Sequence, residues 1–113
     1  MNIARRDPPR RYRVGAVEIA DCGKIDLAAD EQVTFVHGAG EVDFTAKSWG
    51  FYATPSVNDR LVRQGFKTAL AENPSGKIFV HVVSRDRLEE YHRYLAAENS
   101  RVVEWLDERP RRP

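Results

Sequence analysis

The sequence predicts an α+β fold: one domain with a mixed β-sheet and two helices packed on it. Three observations predict it. Apolar residues alternate with polar ones through the first half of the chain. Beyond Pro55 the apolar spacing becomes helical. Residues 77 to 106 then have the composition of a β-α-β unit, an apolar strand followed by an amphipathic helix and a second strand.

The elements follow in chain order. RVGAVEIA (13 to 20) alternates weakly and ends in Asp21-Cys22-Gly23, a turn signal, before KIDLA (24 to 28). QVTFVH (32 to 37) sets Val33, Phe35 and His37 on one face, and EVDFTAK (41 to 47) sets Val42, Phe44 and Ala46 on one. A short glycine loop between two alternating runs predicts a hairpin. Pro55 ends the next strand, and Ser56 or Asn58 is placed to cap a helix. From Asp59 to Glu72 that helix would bury Leu61, Val62, Gly65, Phe66, Ala69 and Leu70 as one stripe, with Asn73-Pro74-Ser75-Gly76 stopping it. KIFVHVV (77 to 83) reads as a strand buried on both faces. Asp86 and Glu89 have the spacing of a capping box ahead of a second helix marked by Leu88, Tyr91, His92 and Leu95. RVVEWL (101 to 106) closes the β-α-β unit, whose strands should be parallel neighbours.

With 113 residues, 42% of them hydrophobic, the chain is long enough to bury a core without disulfides or a metal. Its net charge of +1 is unevenly spread. Residues 1 to 13 hold Arg5, Arg6, Arg10, Arg11 and Arg13 against Asp7 alone, and residues 108 to 113 hold three more arginines against Glu108. Both ends contain prolines and little to bury, so they read as basic flexible tails on a mildly acidic domain spanning 14 to 107. No apolar run is long enough for a membrane helix and no signal peptide is visible. The single cysteine, Cys22, points to a reducing compartment, most simply the cytoplasm.

No catalytic signature stands out. His37, His81 and His92 share no metal-ligand spacing with each other or with Cys22, so neither a metal nor another cofactor is expected. His81, between valines, reads as a hydrogen-bonded core histidine. Asp21 beside Cys22 would raise the thiol's pKa, the wrong direction for a nucleophile. Glycine-rich phosphate loops are absent from the sequence.

The stretch from Lys47 to Arg63 is the site candidate. Trp49, Phe51 and Tyr52 cannot all point into one core, because successive strand residues face opposite sides. With Trp49 and Phe51 inward, Tyr52 would emerge near Lys47 and Thr54, beside a helix whose Arg60, Arg63 and Lys67 form a basic stripe. Free amides at a helix start favour an anion. Lys47, Trp49, Tyr52, Thr54, Ser56, Asn58, Arg60 and Arg63 are therefore the ligand-binding candidates, with no catalytic residue assigned.

Residues 47 to 61, KSWGFYATPSVNDRL, resemble a stretch of a group of small bacterial proteins without an established activity. There a K-S-W-G-F-Y-x-T-P-S-x-N core leads into a helix, and an I-F-V-x-V-V-like strand and an R-V-V-x-W-L ending follow. The resemblance covers residues 23 to 107 and implies that Lys47, Trp49, Tyr52, Thr54, Ser56 and Asn58 form one unit. It assigns a role to none of them. The expectation is a non-catalytic or accessory binding domain for a small polar, anionic or sugar-like ligand, or for a protein partner. One alternative is a small enzyme acting on a sugar or phosphorylated metabolite, with Lys47 or Tyr52 as acid–base group. Another is a protein associated with nucleic acid through its arginine-rich ends.

Overall fold

The structure is a computed structural model and describes residues 1–112, with Thr54 in backbone only. The side chain of Thr54, a ligand candidate, and Pro113, the end of the expected C-terminal tail, lie outside the described residues. The chain forms two compact units, Met1–Thr54 and Pro55–Pro113.

The first unit begins where a tail was expected. Strands β1 (Asn2–Val14) and β2 (Val17–Asp26) pair antiparallel into a long two-stranded ribbon. Gly15, at φ 59°, opens the tight turn that joins them. The prolines that suggested disorder fall where the register shifts between Arg5 and Arg10. Proline cannot donate to a ladder, so it is tolerated at a bulge. Opposite the shift, Asp21 receives hydrogen bonds from Arg6 and Arg10 and from the Gly23 amide. Asp21-Cys22-Gly23 is thus part of a continuous strand and not the turn its composition suggested.

Strands β3 (Gln32–His37), β4 (Gly40–Lys47) and β5 (Gly50–Thr54) make an antiparallel sheet in that order. The hairpin expected between residues 32 and 47 is present, with Gly38 at φ 58° in its two-residue loop. The central strand β4 holds the buried positions, Gly40, Asp43 and Ala46. Thr34 donates to the Asp43 carboxylate at 2.6 Å, giving this acid a polar partner out of water.

The second unit departs most from expectation. The helix predicted over 59 to 72 is a single turn, α1 (Arg60–Arg63), followed by strand β6 (Phe66–Glu72). Gly65, at φ 88°, breaks the helical path between them. Asn73 to Gly76 then form a hairpin loop: the Asn73 side chain accepts from the Ser75 and Lys77 amides, at 3.1 and 2.9 Å. Strand β7 (Ile78–Ser84) returns beside β6, helix α2 (Leu88–Ala97) follows a 3-10 turn, and β8 (Arg101–Trp105) finishes the sheet.

The sheet order is β7-β6-β8, with every neighbouring pair antiparallel. Both β7 and β8 oppose β6, so they run parallel to each other but do not touch as neighbours. The β-α-β crossover therefore steps over β6, and no mixed sheet forms. Helix α2 starts without a side-chain cap; the expected capping residue Asp86 instead accepts from Ser84 Oγ at 2.7 Å. More than half of the chain is strand, in three small antiparallel sheets with one helix longer than a turn. The fold is mostly β, which overturns the expected α+β arrangement of two helices on a mixed sheet.

Burial in the second unit centres on β6. Ala69 and Ala71 are buried with Leu61, Val83 and Leu95, while Phe66, expected inside a helical stripe, is half-buried. Thr68 is also buried, and its Oγ1 has no hydrogen-bond partner among the described residues. An orphaned hydroxyl keeps its desolvation cost and returns nothing. Thr68→Val should therefore stabilise the unit by about 1 kcal/mol in urea melts, since valine keeps the shape and the strand propensity. A loss of stability would show that the hydroxyl is bonded.

Candidate functional site

The stretch singled out by sequence is a hairpin end. Lys47 pairs with Gly50, so Ser48 and Trp49 form the tip of a two-residue turn. Gly50, at φ 143°, supplies a backbone conformation that a side chain would resist. Strand β5 then lies at the sheet's edge. Trp49, Phe51 and Tyr52 are 68%, 73% and 53% exposed, so the expectation that two of them point inward is corrected. Beyond β5 no helix N-terminus of useful length follows. Ser56 Oγ does accept from the Arg60 amide at 2.9 Å, which fixes the one turn of α1.

The cations of the proposed anion site are already occupied. Lys47 Nζ lies 2.5 Å from Asp30 and Arg63 Nε 3.0 Å from Asp59. Arg60 is engaged as well. Lys67, expected on the same helical stripe, belongs to β6 and bonds Asp107 and Glu108 at 2.8 and 2.7 Å. The Asn58 carbonyl accepts from Arg111 at 3.4 Å. The unit boundary falls after Thr54, so Lys47, Trp49 and Tyr52 belong to the first unit and Ser56, Asn58, Arg60 and Arg63 to the second. It divides the residues that the resemblance would keep together.

A groove that the sequence reading missed lies within the second unit. It offers about 550 Å³ of space, broadly open to solvent, between β7 and α2. On one side five consecutive residues, Val80 to Ser84, line it. Successive strand residues point to opposite faces, so a run of five means the groove follows the strand's edge. Strand β7 is an edge strand whose one strand neighbour is β6, which leaves its outer backbone groups without a ladder partner. On the other side stand Arg87, Glu90, Tyr91 and Tyr94, a single stripe at helical spacing.

The groove's floor is aromatic. His81 Nδ1 and the Tyr91 hydroxyl are 2.7 Å apart, and the His81 ring meets Tyr91 and Tyr94 edge-on at 5.5 and 6.1 Å. Tyr91 stacks beside Tyr94 and meets Trp105 at 6.0 Å, and the Lys67 ammonium lies over Trp105 at 4.9 Å. Burial lowers the His81 pKa below its usual value, so the ring is neutral at pH 7. Burial first, and the nearby Tyr94 second, raise that of Tyr91. A phenol held protonated is a poor general base at neutral pH. The polar groups thus tie the wall together, and Arg87 and Glu90 neutralise each other at 3.0 Å on the rim. The signal for this groove was in Tyr91 and Tyr94, three residues apart on one helix. That β7 is an edge was not visible in a near-continuous apolar run.

Among the described residues no group of three His, Cys, Asp or Glu side chains could hold a metal ion, and no helix is long and apolar enough to cross a membrane. Compared with protein-family models, curated proteins and solved structures, the chain has no significant match.

Proposed function

We propose that this chain is a non-catalytic binding module that takes an extended segment of a protein partner as an added strand along β7. The observation that carries the reading is the groove itself: a free strand edge on one side and a helix stripe with two tyrosines on the other. Strand addition uses those two elements, main-chain hydrogen bonds for affinity and side-chain pockets for selectivity. An incoming apolar or aromatic side chain would lie against Tyr94 and His81. The pairing of Lys47 and Arg63 with carboxylates weighs against the anionic-ligand alternative. Arginines of the ribbon are paired too, Arg6 and Arg10 with Asp21 and Arg11 with Glu18, which weighs against the nucleic-acid alternative. The lone, exposed thiol of Cys22 suits a reducing cytoplasm.

Selection from a displayed library of random nine-residue peptides tests the reading. Selected peptides should shift the backbone amides of residues 80 to 84 together with those of 87 to 94. Tyr94, a half-exposed anchor, can be removed without opening the core. Tyr94→Ala should weaken the selected peptides at least tenfold, about 1.4 kcal/mol, with unchanged melting. Shifts confined to other residues, or equal binding by the variant, would refute the groove as the site.

A further inference from the structure

We infer that the turn end of the β1–β2 ribbon, from Arg10 to Asp21, docks on an anionic lipid surface. Val14 pairs with Val17 at the turn, Tyr12 with Ile19 and Arg10 with Asp21. Cross-strand partners share a face, and positions two apart share it too. Tyr12, Val14, Val17 and Ile19 therefore form one apolar face at the tip, with Arg10 and Asp21 the next pair along it. Arg11, Arg13 and Glu18 stand on the opposite face. Every residue from Arg10 to Ala20 is exposed, the four apolar ones by between 37% and 52%. A two-stranded ribbon is at best marginal in water, so an environment that accepts apolar side chains at this end would stabilise it.

Charge selects the sign of the surface. Residues 1 to 26 hold six basic side chains against four acidic ones, a net +2. The excess lies on both faces. Arg5, Arg6 and Arg10 meet Asp21 alone on the apolar one, where a single carboxylate serves two guanidiniums. Arg11, Arg13 and Lys24 face Glu18 and Asp26 on the other, and Glu18 is held by Arg11. A headgroup layer surrounds an inserted tip with phosphates, so cations on both faces find partners there. A protein docked on one face would leave the other row unanswered, and a nucleic acid would leave the four apolar side chains in water. Depth agrees. At roughly 3.3 Å per residue, Tyr12 lies about 7 Å behind Val14 and Arg10 about 13 Å. An amphipathic element at a membrane interface buries its apolar face by about 5–10 Å. With that face turned to the acyl chains, the four apolar residues reach the boundary. Arg10 stays at the phosphates, and Arg11 and Arg13 extend back to them. The ribbon rests on the bilayer and does not cross it.

Vesicle flotation with the full chain tests this independently of the groove. Phosphatidylcholine vesicles with about 30% phosphatidylserine should bind at least tenfold more tightly than phosphatidylcholine alone, and added salt should weaken them. A Val14→Thr, Val17→Thr, Ile19→Thr variant should lose at least tenfold in vesicle affinity. Threonine keeps the β-branched shape, so strand pairing survives and the amide shifts of residues 32 to 54 stay in place. Arg5 and Arg13 stand outside the ribbon's ion pairs, and Arg5→Gln with Arg13→Gln should abolish the preference for anionic vesicles. Val36→Thr, at an apolar position 65% exposed outside the ribbon, should bind vesicles as wild type does, and so should the groove variant Tyr94→Ala. No binding to the anionic vesicles, or equal binding by the threonine variant, would overturn the inference. So would tighter binding to an acidic polypeptide or an oligonucleotide than to the vesicles, because the ribbon would then serve a soluble polyanion.

Discussion

Replacing Leu95 by alanine should cost the second unit about 2–5 kcal/mol, the range for truncating a buried leucine. Leu95 is 4% exposed and is the one buried residue of α2. Half-buried Leu88 and Tyr91 lie on the same stripe. The other buried apolar residues here are small or few, Ala69, Ala71, Val83 and Leu61, so little can move in to fill the space. A unit of this size has a total stability of roughly 3–9 kcal/mol, and the loss takes most of it. The helical signal in circular dichroism should melt at or below room temperature, and the groove should vanish with it. If the variant instead loses less than about 1 kcal/mol in urea, α2 is held by its tyrosines and not by its apolar stripe.

That helix shows what a sequence can and cannot disclose here. Leu88, Tyr91, His92 and Leu95 recur over eight residues at a spacing that suits a helix, and α2 is where they put it. The 32–47 hairpin was equally legible, because two period-2 runs around a glycine loop leave no competing structure. Strand β6 was not. Over seven residues Phe66, Ala69, Leu70 and Ala71 fit either period, and alanine and leucine favour helix by propensity. Pairing with β7 on one side and β8 on the other overrides that preference. β1 was hidden for a different reason. Pro8 and Pro9 and the arginines look like disorder, yet the prolines fall at a register shift and Asp21 forms ion pairs with two of the arginines.

The candidate site was legible only as composition. Trp49, Phe51 and Tyr52 announce an unusual corner, but whether aromatics at a corner face inward depends on what covers it, and that is a tertiary fact. The His81–Tyr91–Tyr94 wall joins residues up to thirteen apart through the packing of α2 on β7, a relation no local pattern records.

Asp107→Asn should destabilise the second unit by about 3 kcal/mol at neutral pH, because it removes a charge from a largely buried pair. The Lys67 and Asp107 side chains are only 15% and 6% exposed and 2.8 Å apart, and Asp107 also accepts the Thr68 amide at 2.9 Å. Glu108, 59% exposed, would remain as the ammonium's one carboxylate and keep the loss below that of a wholly orphaned lysine. For Asp107 burial is the largest influence and opposes ionisation. The hydrogen bonds from Lys67, Thr68 and its own backbone, with the lysine charge, together outweigh it, so its pKa lies below 3.8. A depressed folded pKa contributes stability that is present above the unfolded value and lost as pH falls through the folded one. For Lys67 burial is again the largest influence, and it is outweighed by Asp107 and Glu108, which raise the pKa above 10.5. That contribution is fully present below 10.5 and lost as pH rises through the folded value. Urea melts of wild type and variant should therefore differ by a constant amount from about pH 5 to 10 and converge as pH falls through the depressed folded pKa of Asp107, below which both carry a neutral side chain at position 107. A difference that persists undiminished in acid would mean that residue 107 acts through shape and its bond to Thr68, and that the charge on it contributes nothing.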